Sequence, residues 1–379
     1  MVSGCDGTKA QRAFVQARPP RRKIPHGSLI HPTRDGGGHG PRHPARLWYR
    51  HEADRATGEL VRVEAKILLD GGAYAETSSA VIANAAYFAA GMSLYDAVSH
   101  SFTTVSTGGF SPYQGSIGQF DSAVIEWICI VAMLLAGGSF TLYYRALKRD
   151  PKPLLRSTEF RVYLGVVASI AAWAFMVSGN DGGQAAGFRD SLFTATSTVT
   201  TTGYVTTEYG LWSQTAQLLL LVAMPIGAMA GSTAGGVKMV RVMAVASYAH
   251  REALRHLHPR LVRPVRVGNG ILPDEVAGRV VGFMMLALAI FGGGAFAISA
   301  TGPDMITSFS SSATAFGNVG PGLGALDHAG DFLAIPRVGR WIAMGQMLLG
   351  RLEIYPVILA LSVVTLRIPK AFHRPRSVD

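Results

Sequence analysis

Three stretches of the chain combine serine and threonine with glycine in the same order, and their oxygens could bind a cation. Each runs through several hydroxyl residues to a glycine that is followed by Phe, Tyr or Pro. Backbone carbonyls and threonine hydroxyls can replace the water of a dehydrated monovalent ion, and glycine lets the backbone turn its carbonyls inward. The stretches cover residues 101–110, 191–204 and 308–321, and they follow Asp96, Asp190 and Asp304.

The same three stretches favour a short helix followed by an extended turn. Asp96, Asp190 and Asp304 are suited to the first turn of a helix, where a carboxylate accepts free backbone N–H groups. The carboxyl end of such a helix carries partial negative charge toward a bound cation. One Ser/Thr-rich loop would be an ordinary loop. Three copies between apolar segments predict re-entrant helices and a cation-coordinating filter.

The composition places these stretches in a membrane protein. Of 379 residues, 49% are hydrophobic and only 16% charged, and the mean hydropathy is +0.25. Ordinary globular chains carry roughly 25% charged residues. The net charge of +11 is concentrated in short basic runs between apolar segments, which is typical of cytoplasmic loops and not of nucleic-acid binding. Cys5 and Cys129 fit neither a disulfide framework nor a zinc site.

Five apolar segments are predicted to cross the membrane as helices. A crossing needs about 20 apolar residues, and lipid cannot satisfy open backbone groups. Basic loops near residues 145–161, 251–266 and 367–376 predict the cytoplasmic side, and the opposite loops are acidic. The segments are Ala123–Tyr144, Val162–Ser178, Leu211–Ala246, Val276–Ala300 and Trp341–Leu366.

The third crossing segment is interrupted. Pro225 and the glycines that follow it up to Gly236 cannot sustain a regular helix. Irregular backbone at membrane depth is tolerated where it is buried in protein or faces a water-filled cavity. We therefore expect this stretch beneath the three turns, with a packing kink as the alternative.

Charged residues also occur within the apolar segments, and such residues mark functional sites by default. Arg351, with Glu353 nearby, lies within an apolar segment and is therefore a candidate functional residue. Glu126 is either a buried partner or a residue near the outer end of its segment. Lys238 is expected to face the cytoplasm.

From about Gly91 to Pro369 the chain resembles the membrane subunit of Trk/Ktr-type potassium uptake systems, the TrkH family. The resemblance covers roughly three quarters of the chain. It is carried by Thr107-Gly108-Gly109-Phe110-Ser111, Thr201-Thr202-Gly203-Tyr204, Asn318-Val319-Gly320-Pro321-Gly322, Ala230-Gly231-Ser232-Thr233-Ala234-Gly235-Gly236-Val237-Lys238 and Leu349-Gly350-Arg351-Leu352-Glu353-Ile354.

The resemblance implies an all-α integral membrane protein in which helix–pore-loop–helix repeats surround one potassium path on a pseudo-fourfold axis. It implies no enzymatic activity, no cofactor and no metal beyond transported K⁺. It further implies a bacterial plasma (inner) membrane location, a cytoplasmic nucleotide-binding regulatory subunit as partner, and a homodimer. The implied filter residues are Thr107, Gly108, Gly109, Thr202, Gly203, Asn318, Val319 and Gly320. The implied gate residues are Gly231, Ser232, Thr233, Ala234, Gly235, Gly236 and Arg351.

The family has four repeats, and only three filter stretches are found. We therefore expect an incomplete set, with one repeat over residues 92–150, a second with the broken inner helix over 151–260, and a third with a basic tail over 261–379. An ion in such a filter is under-coordinated on one side, which predicts impaired transport by this chain alone. A non-selective monovalent cation pore is a further alternative.

Residues 1–91 are expected to form an irregular extension containing a short strand near residues 60–70. The stretch from His43 to Ala86 resembles a fragment of the molybdenum-binding subunit of xanthine dehydrogenase and aldehyde oxidase. It covers about fifty residues of a much larger domain, so no activity is carried over. A molybdenum hydroxylase fragment without a transport role remains an alternative reading.

Overall fold

The structure is a computed structural model that describes residues 73–148, 152–178, 187–258, 263–268, 270–326, 332–352, 354 and 357. The chain divides into two units, Met1–Glu59 and Leu60–Asp379. The first unit lies wholly outside the described residues, and so does the strand predicted near residues 60–70. The description below concerns the second unit.

The described part of this unit is helical, as predicted. Helix α1 covers residues 73–89. The later helices are α2 (Leu94–Val105), α3 (Ala123–Ala136), α4 (Phe140–Lys148), α5 (Lys152–Arg156), α6 (Thr158–Val177), α7 (Phe188–Val199), α8 (Gln214–Ala223), α9 (Met239–Leu257), α10 (Asp274–Ser299), α11 (Met305–Gly317) and α12 (Arg337–Arg351). Single 3₁₀ turns occur at Ser116–Phe120, Tyr209–Leu211, Gly324–Leu326 and Phe332–Ala334.

One small sheet interrupts the helical architecture. Strands β1 (Val265–Val267) and β2 (Gly270–Leu272) pair antiparallel, with Val265 opposite Leu272, and they connect α9 to α10. The prediction of an all-α fold is otherwise confirmed in the described residues.

Two described helices, α6 and α10, are long and apolar enough to cross a membrane. They agree closely with the second and fourth predicted segments. The first predicted segment, Ala123–Tyr144, was wrong as a continuous helix. It divides into α3 and α4, which meet at 95° and count as a third span only if taken together. Gly137 and Ser139 lie at this break.

The other two predicted segments differ in ways that follow from their residues. The third is interrupted as expected, because α8 ends at Ala223 and α9 begins at Met239. For the fifth, the structure has α12 from Arg337 to Arg351, so the helix begins before Trp341. Most residues beyond Leu352 lie outside the described part of the chain.

Helix α1 differs from the expectation of an irregular extension up to residue 91. Within it, Tyr87 is completely buried and its hydroxyl lies 3.0 Å from the Thr104 hydroxyl of α2. Ala83 and Tyr87 belong to one apolar cluster with Ile130 and Met133 of α3. Since this packing buries an apolar face of α1 against two later helices, residues 73–89 are part of the helical unit.

Candidate functional site

Three short helices, α2, α7 and α11, carry their hydroxyl side chains into the protein interior. In α7 and α11 the serines and threonines are almost all buried. Buried hydroxyls need partners, and many of these donate to the carbonyl one turn earlier. Examples are Thr104 to His100 (2.6 Å) and Ser311 to Thr307 (2.5 Å). The polar composition is therefore compatible with burial in a membrane protein.

The aspartates predicted at the starts of these helices are found there. Asp96 lies in the first turn of α2, where Ser93 is the N-cap. The Asp190 carboxylate accepts the N–H of Gly187 at 3.2 Å, and that of Asp304 accepts the N–H of Thr307 at 3.2 Å. Hydrogen bonding by Thr307 lowers the pKa of Asp304, so this cap remains ionised near neutral pH. Each helix thus begins at a fixed point and ends at a glycine turn.

The three glycine turns, defined as residues 107–109, 201–203 and 318–320, share one backbone conformation. In each turn the first residue and the final glycine have positive φ. The N–H of the middle residue donates to the carbonyl five positions earlier in all three: Gly108 to Thr103, Thr202 to Ser197 and Val319 to Thr314. The identical bonding shows that the three stretches are structural repeats as well as sequence repeats.

The glycine turns lie side by side. A Cβ atom added to Gly109 would lie 1.8 Å from the carbonyl oxygen of Thr202. One added to Gly203 would lie 1.7 Å from the carbonyl oxygen of Val319. Each glycine therefore packs on the middle residue of the next turn, which brings the three turns together. By contrast, no described atom lies within 4 Å of a Cβ added to Gly320.

Tyr204 joins the second turn to helix α2. Its side chain is 2% exposed, and its hydroxyl lies 2.6 Å from the Thr103 hydroxyl and donates to the His100 carbonyl at 3.1 Å. Its own carbonyl accepts a hydrogen bond from Ser197 at 2.8 Å. Tyr204 thus fixes the spacing between the first and second repeats.

Replacing Tyr204 with phenylalanine should lower the free energy of unfolding by about 1–3 kcal/mol, because the partners of a buried hydroxyl lose a hydrogen bond. The measurement is denaturation of the purified protein in detergent. Tyr95, which is 71% exposed on α2, provides the matched control. Equal stability of Tyr204→Phe and Tyr95→Phe would contradict the bridging role.

The glycine-rich loop, residues 229–236, contacts the turns directly. The N–H of Gly235 donates to the Thr201 hydroxyl at 2.8 Å, and the Thr233 hydroxyl donates to the Val105 carbonyl at 2.8 Å. A Cβ on Gly235 would lie 2.5 Å from the Gly317 carbonyl oxygen. The loop therefore touches the carboxyl ends of all three short helices, which matches the expected position beneath the turns.

The break between α3 and α4 accommodates the same loop. The N–H of Met229 donates to the Gly137 carbonyl at 3.1 Å, and the N–H of Phe140 donates to the Gly231 carbonyl at 3.2 Å. These bonds use backbone groups that a continuous helix would have satisfied internally. The 95° bend and the loop thus form one structural unit.

The charged residues occupy three different environments. Arg351 donates from Nη2 to the Ser106 carbonyl at 3.0 Å, directly before the first turn. Glu126 is buried and pairs with Arg189 at 2.5 Å, so it is a partner residue. Lys238 was expected to face the cytoplasm, but it is half-buried and donates to the Ser232 and Ala234 carbonyls. Glu353 lies outside the described residues.

Two open cavities lie beside helix α12 and beside helices α1 and α2. One, of about 530 Å³, is lined by Arg337, Arg340, Trp341 and Met344, which share the stripe of α12 that leads to Arg351. The other, of about 400 Å³, is lined by Ser106 and by residues of α1 and α2. Neither set of lining residues includes a residue of the three glycine turns.

Sequence reasoning omitted one residue of the site. Thr201 has φ +55 and occupies the position of Thr107 and Asn318, and its hydroxyl binds the glycine-rich loop. Aligning the three stretches on Gly109, Gly203 and Gly320 places Thr201 two residues before the glycine, so the signal was present. For metal binding, the described residues contain no group of three or more His, Cys, Asp or Glu side chains placed to hold an ion.

Fold and site together define a multi-pass helical membrane protein built from helix–pore-loop–helix repeats. Comparison with known proteins specifies the family. The family model TrkH, described as cation transport protein, matches residues 74–179 and 180–371. The chain belongs to the TrkH family.

Relatives and a solved structure agree with this assignment. The chain is 36% identical over 283 residues to the Trk system potassium uptake protein TrkH of Halomonas elongata, covering 72% of this chain and 57% of the relative. It is 34% identical to TrkH of Escherichia coli K12, covering 71% of this chain and 56% of the relative. The crystal structure of the potassium transporter TrkH from Vibrio parahaemolyticus is similar with a TM-score of 0.67 at 33% identity, covering 79% of this chain and 63% of that one.

The extent of these matches shows how much of the relatives the chain spans and whether α1 belongs to the matched region. The chain spans less than two thirds of the length of these relatives. The family match begins at residue 74 and so includes α1, although residues up to 91 were expected to belong to the extension.

Proposed function

We propose that the chain forms part of a potassium translocation path in the bacterial plasma membrane, and that it acts in transport and not as an enzyme. The observation that carries the proposal is the set of three identical glycine turns packed side by side, with Gly109 on Thr202 and Gly203 on Val319. Their carbonyls and the Thr107 and Thr202 hydroxyls offer the oxygens that a dehydrated cation needs. The names of the relatives point to potassium as the cation.

Within this proposal the glycine-rich loop acts as the gate. It lies against the ends of the three short helices through Thr201 and Thr233, where it would block an ion leaving the turns. Arg351 places a positive charge at the inner end of the first turn. A cation on the path therefore meets both a physical and an electrostatic barrier.

The described turns would coordinate an ion from three directions, since no described residue packs on Gly320. We accordingly propose that transport by this chain alone is impaired. Rubidium uptake by cells that lack their own potassium uptake systems tests this point. Uptake equal to that of a full-length relative would contradict the impairment.

Potassium binding can be measured without transport. Purified protein should melt at higher temperature in KCl than in choline chloride of equal ionic strength, because a ligand that binds only the folded state stabilises it, by about 2.7 kcal/mol at a hundred times its Kd. Equal melting in both salts would contradict an ion site. Equal stabilisation by sodium and potassium would favour the non-selective pore.

The proposed partners are membrane lipid, a second copy of the chain and a cytoplasmic nucleotide-binding subunit. The basic residues from Arg251 to Arg266 are a candidate docking face for that subunit. Arg251 does not contribute to it, because its side chain is buried and pairs with Asp274 and Glu252. Arg263 and Arg266, near strand β1, are exposed and could meet an acidic surface.

A further inference from the structure

Two side chains of opposite charge hold the glycine-rich loop. Glu159, in the first turn of α6, accepts the N–H of Ala230 on Oε1 at 2.8 Å. Lys238, the N-cap residue of α9, donates from Nζ to the carbonyls of Ser232, at 3.3 Å, and Ala234. The Glu159 carboxylate and the Lys238 ammonium also interact electrostatically. The loop is thus held through one N–H group by Glu159 and through two carbonyls by Lys238.

The loop forms few hydrogen bonds within itself, so its conformation depends on bonds to the surrounding elements. Three of its eight residues are glycine, which loses more backbone freedom on ordering than other residues. Its internal bonds are those from the Ser232 N–H and hydroxyl to the Met229 carbonyl, among the described residues. Hydrogen bonds to charged groups are about twice as strong as neutral ones. Beside the neutral bonds to Thr201, Val105, Gly137 and Phe140, those from Glu159 and Lys238 should therefore contribute most per bond to the order of the loop.

We propose that Glu159 and Lys238 form a clasp that keeps the glycine-rich loop closed beneath the turns. They are positioning residues, because Glu159 holds the Ala230 N–H and also bonds the backbone of Val240 in α9, while Lys238 holds two loop carbonyls. This inference rests on the proposed gating role of the loop and names the residues that control it.

The clasp is placed where movement of the cytoplasmic elements would act on it. Lys238 begins α9, and further along α9 Arg251 pairs with Asp274, the first residue of α10. On the other half of the clasp, Gly268 of the β1–β2 hairpin lies against Thr158, the neighbour of Glu159. A displacement of α9 and the hairpin would therefore pull on both halves of the clasp.

Hydrogen exchange of the full chain in lipid nanodiscs tests the clasp without requiring transport. Peptides that cover residues 229–236 should exchange about tenfold faster in Glu159→Ala and in Lys238→Met. In these variants the loop can open without breaking a charge-assisted hydrogen bond, so opening costs less free energy. In Glu159→Gln the loop should exchange at a rate between those of wild type and Glu159→Ala, since the amide oxygen can still accept the Ala230 N–H. Lys238→Arg should restore slow exchange. Glu275→Ala, an exposed first-turn glutamate of α10, should not alter exchange of the loop.

Two outcomes separate this inference from the proposed function. Unchanged loop exchange in Glu159→Ala and Lys238→Met would overturn the clasp, whatever the chain transports. Faster loop exchange with normal exchange in α10 supports the clasp, and cation leak from liposomes then tests the gate. If the leak stays at the wild-type rate, the gating role is overturned while ion binding by the turns is not.

Discussion

Replacing Gly203 with alanine is expected to lower the free energy of unfolding by about 3 kcal/mol or more. An added Cβ would lie 1.7 Å from the Val319 carbonyl oxygen, so the second and third turns would have to separate. Gly203 also has φ +81, where an L-residue is strained by roughly 1–2 kcal/mol. Overpacking adds about 1–3 kcal/mol. Because the turn cannot relax without moving its neighbour, potassium-dependent stabilisation should be lost as well.

The measurement is thermal unfolding of the purified variant in KCl and in choline chloride. Gly165→Ala in α6 is the matched control, because a Cβ there meets no described atom within 4 Å. It should be neutral or stabilise by up to about 1 kcal/mol through helix propensity. The free energy of unfolding of Gly320→Ala should lie between those of Gly203→Ala and Gly165→Ala, since the substitution adds backbone strain without a described clash. Melting of Gly203→Ala at the temperature of Gly165→Ala would contradict the packed arrangement of the turns.

Replacing Arg351 with glutamine is expected to raise cation leak about tenfold. The guanidinium donates to the Ser106 carbonyl, so its charge lies next to the inner end of the first turn. Removing one positive charge roughly 10 Å from a cation, at an effective dielectric constant near 20, lowers the barrier by about 1.7 kcal/mol. Glutamine can still donate to Ser106, so the substitution removes the charge and leaves a donor in place.

Potassium flux into liposomes that contain the purified protein measures this effect, and a low wild-type rate makes an increase easy to detect. Arg351→Lys keeps the charge and should stay within about twofold of wild type, although lysine reproduces the geometry of arginine poorly. An increase with Arg351→Lys as large as with Arg351→Gln would contradict the electrostatic barrier, because lysine keeps the charge. No increase with either variant would contradict the electrostatic barrier.

The sequence sufficed for the parts of this structure that depend on local patterns. Hydroxyl residues before a glycine, repeated three times, correctly located α2, α7 and α11 and the turns that follow them. Pro225 and the glycines after it correctly located the interruption before α9. Each of these features is encoded by neighbouring residues, so a reading along the chain could find it.

Features that depend on distant partners were not found in this way. The bend at Gly137 arises because α3 and α4 give backbone groups to Met229 and Gly231, and Gly137 alone does not predict it. Lys238 and Glu159 are ordinary helix-terminal residues by sequence, and only their contacts with the glycine-rich loop assign them a role. Helix α1 was misread because its resemblance to another family outweighed its short apolar pattern.

The packing of the turns has a direction. Gly109 covers the residue before Gly203, and Gly203 covers the residue before Gly320, so the contacts run head to tail with one handedness. A further segment packed beside Gly320 would have to place a carbonyl against Gly320. To complete a ring, its own glycine would have to pack on Gly108, the middle residue of the first turn. A segment that ran in the opposite direction would place its glycine against Gly320 and its carbonyl against Gly108. Neither contact would match, so the ring could not close.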